Sequence, residues 1–91
     1  MIDKETIVFI LPSVHHVLKG EKILKKTQIP FDLIPVPKEI NPECGMAIET
    51  REPNAKDVYS RLTQANLPVE FIYRRQGRHF TLWSSAQLDQ S

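Results

Sequence analysis

The fold is decided by residues 7–13, which read Ile-Val-Phe-Ile-Leu-Pro-Ser. Five consecutive apolar residues, several of them β-branched, predict a short strand that is buried on both faces and therefore lies inside a sheet. Pro12 ends this strand, because proline cannot donate a ladder hydrogen bond. Ser13 is a typical helix N-cap, whose hydroxyl accepts a hydrogen bond from a backbone N–H one turn further on.

A helix is predicted over residues 14–27. Lysines cluster on one side of it, and the apolar stripe on the other side consists of Val14, Val17, Leu18 and Leu24. Gly20 falls on the same stripe, which predicts a close approach between this helix and the sheet, even though glycine costs about 1 kcal/mol relative to alanine.

Proline also constrains the second strand, which is predicted over residues 31–36. Pro35 and Pro37 cannot donate ladder hydrogen bonds, so we expect this strand at an edge of the sheet. A loop over residues 38–43 leads to a third strand over residues 46–50 that forms a hairpin with the second.

The remaining elements are a second helix over residues 53–65, a fourth strand over 69–74 and a fifth over 79–83. Pro53 opens the helix, and Asn66 with Pro68 closes it. A turn at Gln76 and Gly77 folds the fifth strand back onto the fourth. Residues 1–6 are polar and expected to be frayed.

This order predicts an α+β fold, a ferredoxin-like βαββαβ two-layer sandwich with an extra C-terminal β-strand. We expect a single domain over residues 1–91, with a core at about 7–75, a hairpin extension at 76–84 and a loose tail at 85–91. A right-handed first crossover brings the start of the first helix to the end of the sheet where the second strand finishes. Ser13, His15, His16 and the loop around Cys44 are therefore expected at one rim.

The composition argues against several classes of protein. A net charge of +1 gives no long-range field that would attract nucleic acid or an anionic membrane. No apolar run approaches the ~20 residues of a membrane span, and the start of the chain lacks the pattern of a secretion signal. A single cysteine cannot form an internal disulfide. These features predict a cytoplasmic protein with a reduced thiol and no membrane partner.

The chemistry is expected at residues 35–45, which contain three of the seven prolines, the only cysteine and one of the three glycines. A thiol acts as nucleophile or sulfur carrier in its thiolate form, which a helix N-terminus or a nearby cation favours. Lys38 is one candidate cation, and Gly45 lets another backbone or a substrate approach closely. The alternative is that Cys44 is a small buried hydrophobic residue, and Glu43 opposes its ionisation.

The two histidines of the first helix are adjacent, so they point about 100° apart and cannot address one site in the same way. One of His15 and His16 could face the thiol, although surface or capping histidines are the commoner case. A metal site with Cys44 lacks the usual CxxC or HxxxH spacing, so we expect neither a metal nor a cofactor. No Gly-rich phosphate loop and no Ser-His-Asp pattern is present, which argues against a self-contained hydrolase.

The terminal hairpin combines basic and aromatic residues: Tyr73, Arg74, Arg75, Arg78, His79, Phe80 and Trp83. Sheet platforms of this kind stack bases in some RNA-binding domains, but the glycine and aromatic run of an RNA-recognition strand is missing, so nucleic acid is disfavoured. A solvated edge hairpin or a contact with a partner protein is favoured instead, and Trp83 near the chain end is compatible with a homodimer.

Four stretches, residues 13–26, 29–31, 34–40 and 44–48, carry a resemblance to a known family. They read Ser-Val-His-His-Val-Leu-Lys-Gly-Glu-Lys-Ile-Leu-Lys-Lys, Ile-Pro-Phe, Ile-Pro-Val-Pro-Lys-Glu-Ile and Cys-Gly-Met-Ala-Ile. The chain resembles the small bacterial DUF3343 proteins, which are described as selenium or sulfur carrier-like. The resemblance covers roughly residues 7–75, and the proline-rich stretch that leads to Cys44 is its most specific part.

The resemblance implies that Cys44 is the functional residue and carries a persulfide or selenopersulfide between enzymes. The sequence departs from the family in two respects. Lys38 stands where the family often has arginine, which keeps the charge but loses a planar fork for an anion. The tail beyond Arg75 is longer than in minimal members, so the hairpin could be particular to this protein.

Two functions are therefore expected, and neither is that of a stand-alone enzyme. In the first, Cys44 accepts sulfur or selenium from a transfer protein such as a cysteine desulfurase. Lys38 and the helix amides then support the thiolate, His15 or His16 assists proton transfer, and the binding residues are Ser13, Pro37 and Gly45. In the second, the protein is a non-catalytic interaction or regulatory module that binds a partner or a small anion through its sheet edge or hairpin.

Overall fold

A five-stranded antiparallel sheet carries two helices on one face in the structure, a computed structural model that describes residues 5–83. The elements are β1 (Glu5–Ile10), α1 (Val14–Lys25), β2 (Asp32–Pro35), β3 (Met46–Arg51), α2 (Glu52–Gln64), β4 (Phe71–Gln76) and β5 (His79–Trp83). The strand order is β2-β3-β1-β4-β5. This architecture confirms the α+β prediction of a ferredoxin-like βαββαβ fold with one extra strand.

β1 is the central strand because it buries both of its faces. Ile7 and Phe9 pack into the core beneath the helices, whereas Val8 and Ile10 pack into a second cluster on the opposite face, here called the open face. All four side chains are at most 1% exposed. The prediction of a strand buried on both sides is therefore confirmed.

The expected fraying of residues 1–6 is wrong for Glu5 and Thr6, which belong to β1. The Thr6 Oγ1 hydroxyl donates to Glu49 Oε2 at 2.5 Å, and Glu5 lies opposite Gln76 in the ladder between β1 and β4. Residues 1–4 of that prediction, and the tail predicted to be loose at 85–91, lie outside the described residues.

α1 begins at Val14 as predicted, and Ser13 is its N-cap: its hydroxyl oxygen accepts a hydrogen bond from the His16 backbone N–H at 3.3 Å. Gly20 brings the helix close to its neighbours, since an added Cβ there would lie 2.8 Å from Ile48 Cδ1 and 3.1 Å from Leu62 Cδ2. The predicted close approach of this helix to the sheet is thus confirmed.

The predicted inward stripe of α1 is wrong at two positions. Val17 and Leu24 are fully buried, but Val14 is 41% exposed and Leu18 is 46% exposed. The buried side of the helix faces β3 and α2, and the side that carries Val14 and Leu18 is open to solvent.

β2 is an edge strand, as its prolines predict, and pairs only with β3. β4 begins later than predicted, at Phe71, and extends to Gln76. The turn after it consists of Gly77 and Arg78 rather than Gln76 and Gly77. Gly77 has a φ of 60°, and a positive φ at the first central position alone is typical of a type II′ hairpin turn.

The basic and aromatic residues of the terminal hairpin do not form one patch, because successive residues of a strand point to opposite faces. The guanidinium carbon of Arg74 lies 5.2 Å from the ring centroid of Trp83, which packs against the core beneath the helices. Tyr73 and Phe80 contact each other edge to face on the open face, with 6.3 Å between ring centroids.

Candidate functional site

The loop between β2 and β3 is closed by backbone hydrogen bonds. The Val36 N–H donates to the Gly45 carbonyl oxygen at 3.0 Å, which extends the contact between the two strands past Pro35. Inside the loop, the Gly45 N–H donates to the Asn41 carbonyl at 3.0 Å, and the Asn41 N–H donates to the Pro37 carbonyl at 3.1 Å. Cys44 therefore has a defined position just before β3.

Asn41 anchors this loop to the segment that leads into α1. Its side chain is buried, and its Nδ2 amide donates to the Leu11 carbonyl oxygen at 3.2 Å. Its Oδ1 accepts a hydrogen bond from the Cys44 backbone N–H, also at 3.2 Å. One side chain thus joins the backbone of Cys44 to the residue that precedes Pro12 and the helix cap.

Sequence reasoning missed Asn41. The available signal was an asparagine three positions before the cysteine in a proline-rich loop, since asparagine side chains commonly accept hydrogen bonds from nearby backbone N–H groups. Its second bond, to Leu11, spans a separation of 30 residues and has no local signature.

The register of β1 and β3 places Cys44 at the rim where α1 begins. β1 runs antiparallel to β3 with Phe9 opposite Ile48. The loop that precedes β3 therefore lies at the end of β1 that leads into α1, where Asn41 bonds the Leu11 carbonyl. The α1 start and the Cys44 loop therefore meet at one end of the sheet.

The Cys44 side chain is half-buried and packs against the core beneath the helices. Its Sγ donates a hydrogen bond to the Met46 carbonyl oxygen at 3.4 Å. Because a thiolate has no proton to donate, this bond exists only while the thiol is protonated. The thiolate that attacks a persulfide therefore no longer has this hydrogen bond.

Neither histidine of α1 is bonded to the Cys44 sulfur within residues 5–83, and neither is Lys38. Ser13 Oγ and His16 Nδ1 share a hydrogen bond of 2.7 Å, so the His16 ring belongs to the helix cap. His15 and Lys38 are exposed. The roles predicted for both histidines and Lys38 stay predictions.

The part of the chain over residues 5–83 has neither a cluster of metal ligands nor a helix that could span a membrane. It contains no group of three or more His, Cys, Asp or Glu side chains arranged to hold a metal ion. Neither of its helices has the length and apolar character needed to cross a bilayer.

Gly45 has a positive φ of 69°, and an added Cβ would meet no heavy atom within 4 Å. Backbone conformation rather than space therefore requires glycine here. We expect the Gly45→Ala substitution to lower the free energy of unfolding by about 1–2 kcal/mol in urea denaturation. Gly45→Asn is the matched control and should lose less, because asparagine tolerates this backbone region better. Wild-type stability in the alanine variant would contradict the requirement.

Comparisons with known proteins identify the family to which the chain belongs. A family model described as "Putative Se/S carrier protein-like" matches residues 6–74. A curated Aquifex aeolicus protein named "Putative sulfur carrier protein" is 31% identical over 81 residues, which cover 87% of this chain and 41% of that relative. No solved structure gives a significant match. Because the family match spans residues 6–74, from β1 into β4, the chain belongs to this family of Se/S carrier-like proteins.

Proposed function

We propose that this protein carries sulfur or selenium on Cys44 as a persulfide or selenopersulfide. The observation that carries the proposal is that the only cysteine of the sequence lies half-buried in a loop that Asn41 fixes to Leu11, at the end of β1. The family match and the name of the Aquifex relative support the general role. The chain spans about two fifths of that relative's length, so its partners are inferred from chemistry.

In the proposed step, the Cys44 thiolate attacks the outer sulfur of a cysteine persulfide on a partner protein. The S–S bond of the donor breaks, a new S–S bond forms at Cys44 Sγ, and the partner leaves as a thiolate. The sulfur atom moves without net oxidation or reduction of the pair. The same exchange in reverse delivers the atom to an acceptor thiol.

The proton of the Cys44 thiol must leave before attack. Once the hydrogen bond to the Met46 carbonyl is lost, Lys38 and the α1 amides supply the positive charge that favours a thiolate. Exposed His15 or water accepts the proton, since the His16 ring is already bonded to Ser13. Open space beside Gly45 leaves room for the partner's backbone.

The proposed donor and acceptor are both other molecules. Residues 1–91 contain no second cysteine that could take the sulfur from Cys44. A cysteine desulfurase is the expected donor class, because it presents a persulfide on a cysteine. We place the exchange in the cytoplasm, where thiols stay reduced.

The test is incubation with a cysteine desulfurase and cysteine, followed by intact mass measurement. We expect the wild-type protein to gain the mass of one sulfur atom and to lose it on treatment with dithiothreitol. The Cys44→Ser variant should gain nothing, and circular dichroism should show that it is folded. A wild-type protein that gains no mass would contradict the proposal.

A groove on the open face of the sheet favours the alternative function of a binding module. Its volume is about 410 Å³, and its lining includes Pro35, Pro37, Phe80 and the exposed Arg78. The lining also contains Arg75, which pairs with Glu49, so Arg78 is the cation available to a small anion with an apolar body. The loading experiment separates the two functions, because a module that acts only through this groove, across the sheet from Cys44, would gain no sulfur.

A further inference from the structure

The exposed flank of α1 carries two large apolar side chains that are one helical turn apart. Val14 is 41% exposed and Leu18 is 46% exposed, and Lys22 follows them at the same four-residue spacing. Residues four apart lie above one another on a helix surface. We call Val14, Leu18 and Lys22 the α1 stripe.

The α1 stripe points away from the sheet and from α2. Gly20 marks the side of α1 that faces both, because a Cβ added there would lie 2.8 Å from Ile48 Cδ1 of β3 and 3.1 Å from Leu62 Cδ2 of α2. At 100° per residue, Leu18 projects to nearly the opposite side of the helix from Gly20. The stripe is therefore on the solvent-facing side of the helix layer.

The stripe begins at the rim that holds the Cys44 loop, because Val14 is the first residue of α1. α1 packs on β3, and β2 lies beyond β3 at the edge of the sheet. The loop with Cys44 joins these two strands at the end where α1 begins. A protein that reaches the Cys44 sulfur from solvent at this rim would therefore meet the α1 stripe.

The charge of α1 indicates what such a protein must present. Glu21 pairs with Lys25 at 3.4 Å, whereas Lys19, Lys22 and Lys26 are exposed and have no ion pair within residues 5–83. The helix surface is therefore positively charged around an apolar centre. Complementary charges across an interface chiefly raise the association rate and select the partner.

We propose that the α1 stripe is the docking surface for the persulfide-bearing partner protein, which contacts Val14 and Leu18 through apolar side chains and Lys22 through carboxylates. This inference rests on the carrier function proposed above. Docking on the stripe holds the partner's persulfide at the rim while Cys44 attacks it.

The test compares sulfur loading of Cys44 from two donors, a cysteine desulfurase with cysteine and inorganic polysulfide. We expect the Leu18→Glu and Lys22→Glu variants to load about tenfold more slowly than wild type from the enzyme. Their loading from polysulfide should be unchanged, because a small donor needs no docking surface. Arg61→Glu, which reverses an exposed charge on α2, is the control and should behave as wild type with both donors.

If both stripe variants load from the enzyme at the wild-type rate, the α1 stripe is not the docking surface. That result would not contradict the carrier function. A wild-type protein that takes up no sulfur from the enzyme would instead contradict the carrier function. Added salt should slow loading of the wild type from the enzyme, and a salt-independent rate would contradict the role given to the lysines.

Discussion

Replacement of Arg75 by methionine is expected to lower the free energy of unfolding by about 3 kcal/mol, because it leaves a buried carboxylate without its cation. Glu49 is 7% exposed, and its Oε2 accepts hydrogen bonds from Arg75 Nε at 2.6 Å and from Thr6 Oγ1 at 2.5 Å. These bonds connect β3, β1 and β4 across the open face. The single substitution should therefore weaken the sheet that supports the Cys44 loop.

We attribute the loss of stability to the unpaired charge of Glu49 rather than to the lost contacts of Arg75. A double variant distinguishes these two causes. Replacing Glu49 and Arg75 together by leucine and methionine should restore much of the stability, since neither charge is then buried alone. Arg74→Met is the control on the opposite face, where Arg74 and Glu5 pair at 3.6 Å with both side chains about one-third exposed. It should lose about 1 kcal/mol or less.

Urea denaturation of these variants provides the measurement. If Arg75→Met and Arg74→Met lower the free energy of unfolding equally, the pairing of Arg75 with the buried Glu49 carboxylate adds no special stability. A double variant no more stable than Arg75→Met would contradict the explanation by unpaired charge.

Replacement of Asn41 by alanine should free the Cys44 loop from the end of β1. The substitution removes both side-chain bonds of Asn41 and leaves the Leu11 carbonyl and the Cys44 N–H without partners. We expect a loss of about 2 kcal/mol in the free energy of unfolding. Alkylation of Cys44 by iodoacetamide should also become faster, because the half-buried sulfur is exposed whenever the loop opens.

Two controls make this prediction specific. Asn54→Ala removes an asparagine from α2 and should change the free energy of unfolding by less than about 0.5 kcal/mol. Asn41→Asp keeps the acceptor for the Cys44 N–H but loses the donor to Leu11, so its alkylation rate should lie between those of wild type and Asn41→Ala. An Asn41→Ala variant that alkylates at the wild-type rate would show that Asn41 does not position the cysteine.

Local sequence patterns predict the parts of the fold whose cause is local. The apolar run after Thr6 can be satisfied only inside a sheet, Ser13 caps the helix that follows it, and the prolines of β2 exclude a central position. Together these features determine the strand order and bring the α1 start to the rim with Cys44. Adjacency in the sequence suggested that Arg74 and Arg75 belong to one patch. Successive residues of a strand point to opposite faces of the sheet, so this rule alone would have placed the two side chains on different faces.

Other features depend on contacts between distant segments. Helical periodicity identifies an apolar side of α1 but does not say how far its neighbours extend, so the exposure of Val14 and Leu18 could not be predicted. The bond from Asn41 to Leu11 and the pairing of Glu49 with Arg75 join residues 30 and 26 positions apart. The bond of the Cys44 thiol to the Met46 carbonyl likewise depends on a side-chain orientation that the sequence does not specify.

The most direct test of the carrier claim locates the transferred atom. Trypsin cleaves after Lys38 and Arg51, so residues 39–51 form one peptide that contains the only thiol of the chain. After incubation with a cysteine desulfurase and either cysteine or selenocysteine, the protein is alkylated, digested and analysed by mass spectrometry. Our account predicts this peptide with one additional sulfur or selenium atom between Cys44 and the alkyl group. A peptide with the alkyl group alone, under conditions where the enzyme itself holds a persulfide, would contradict it.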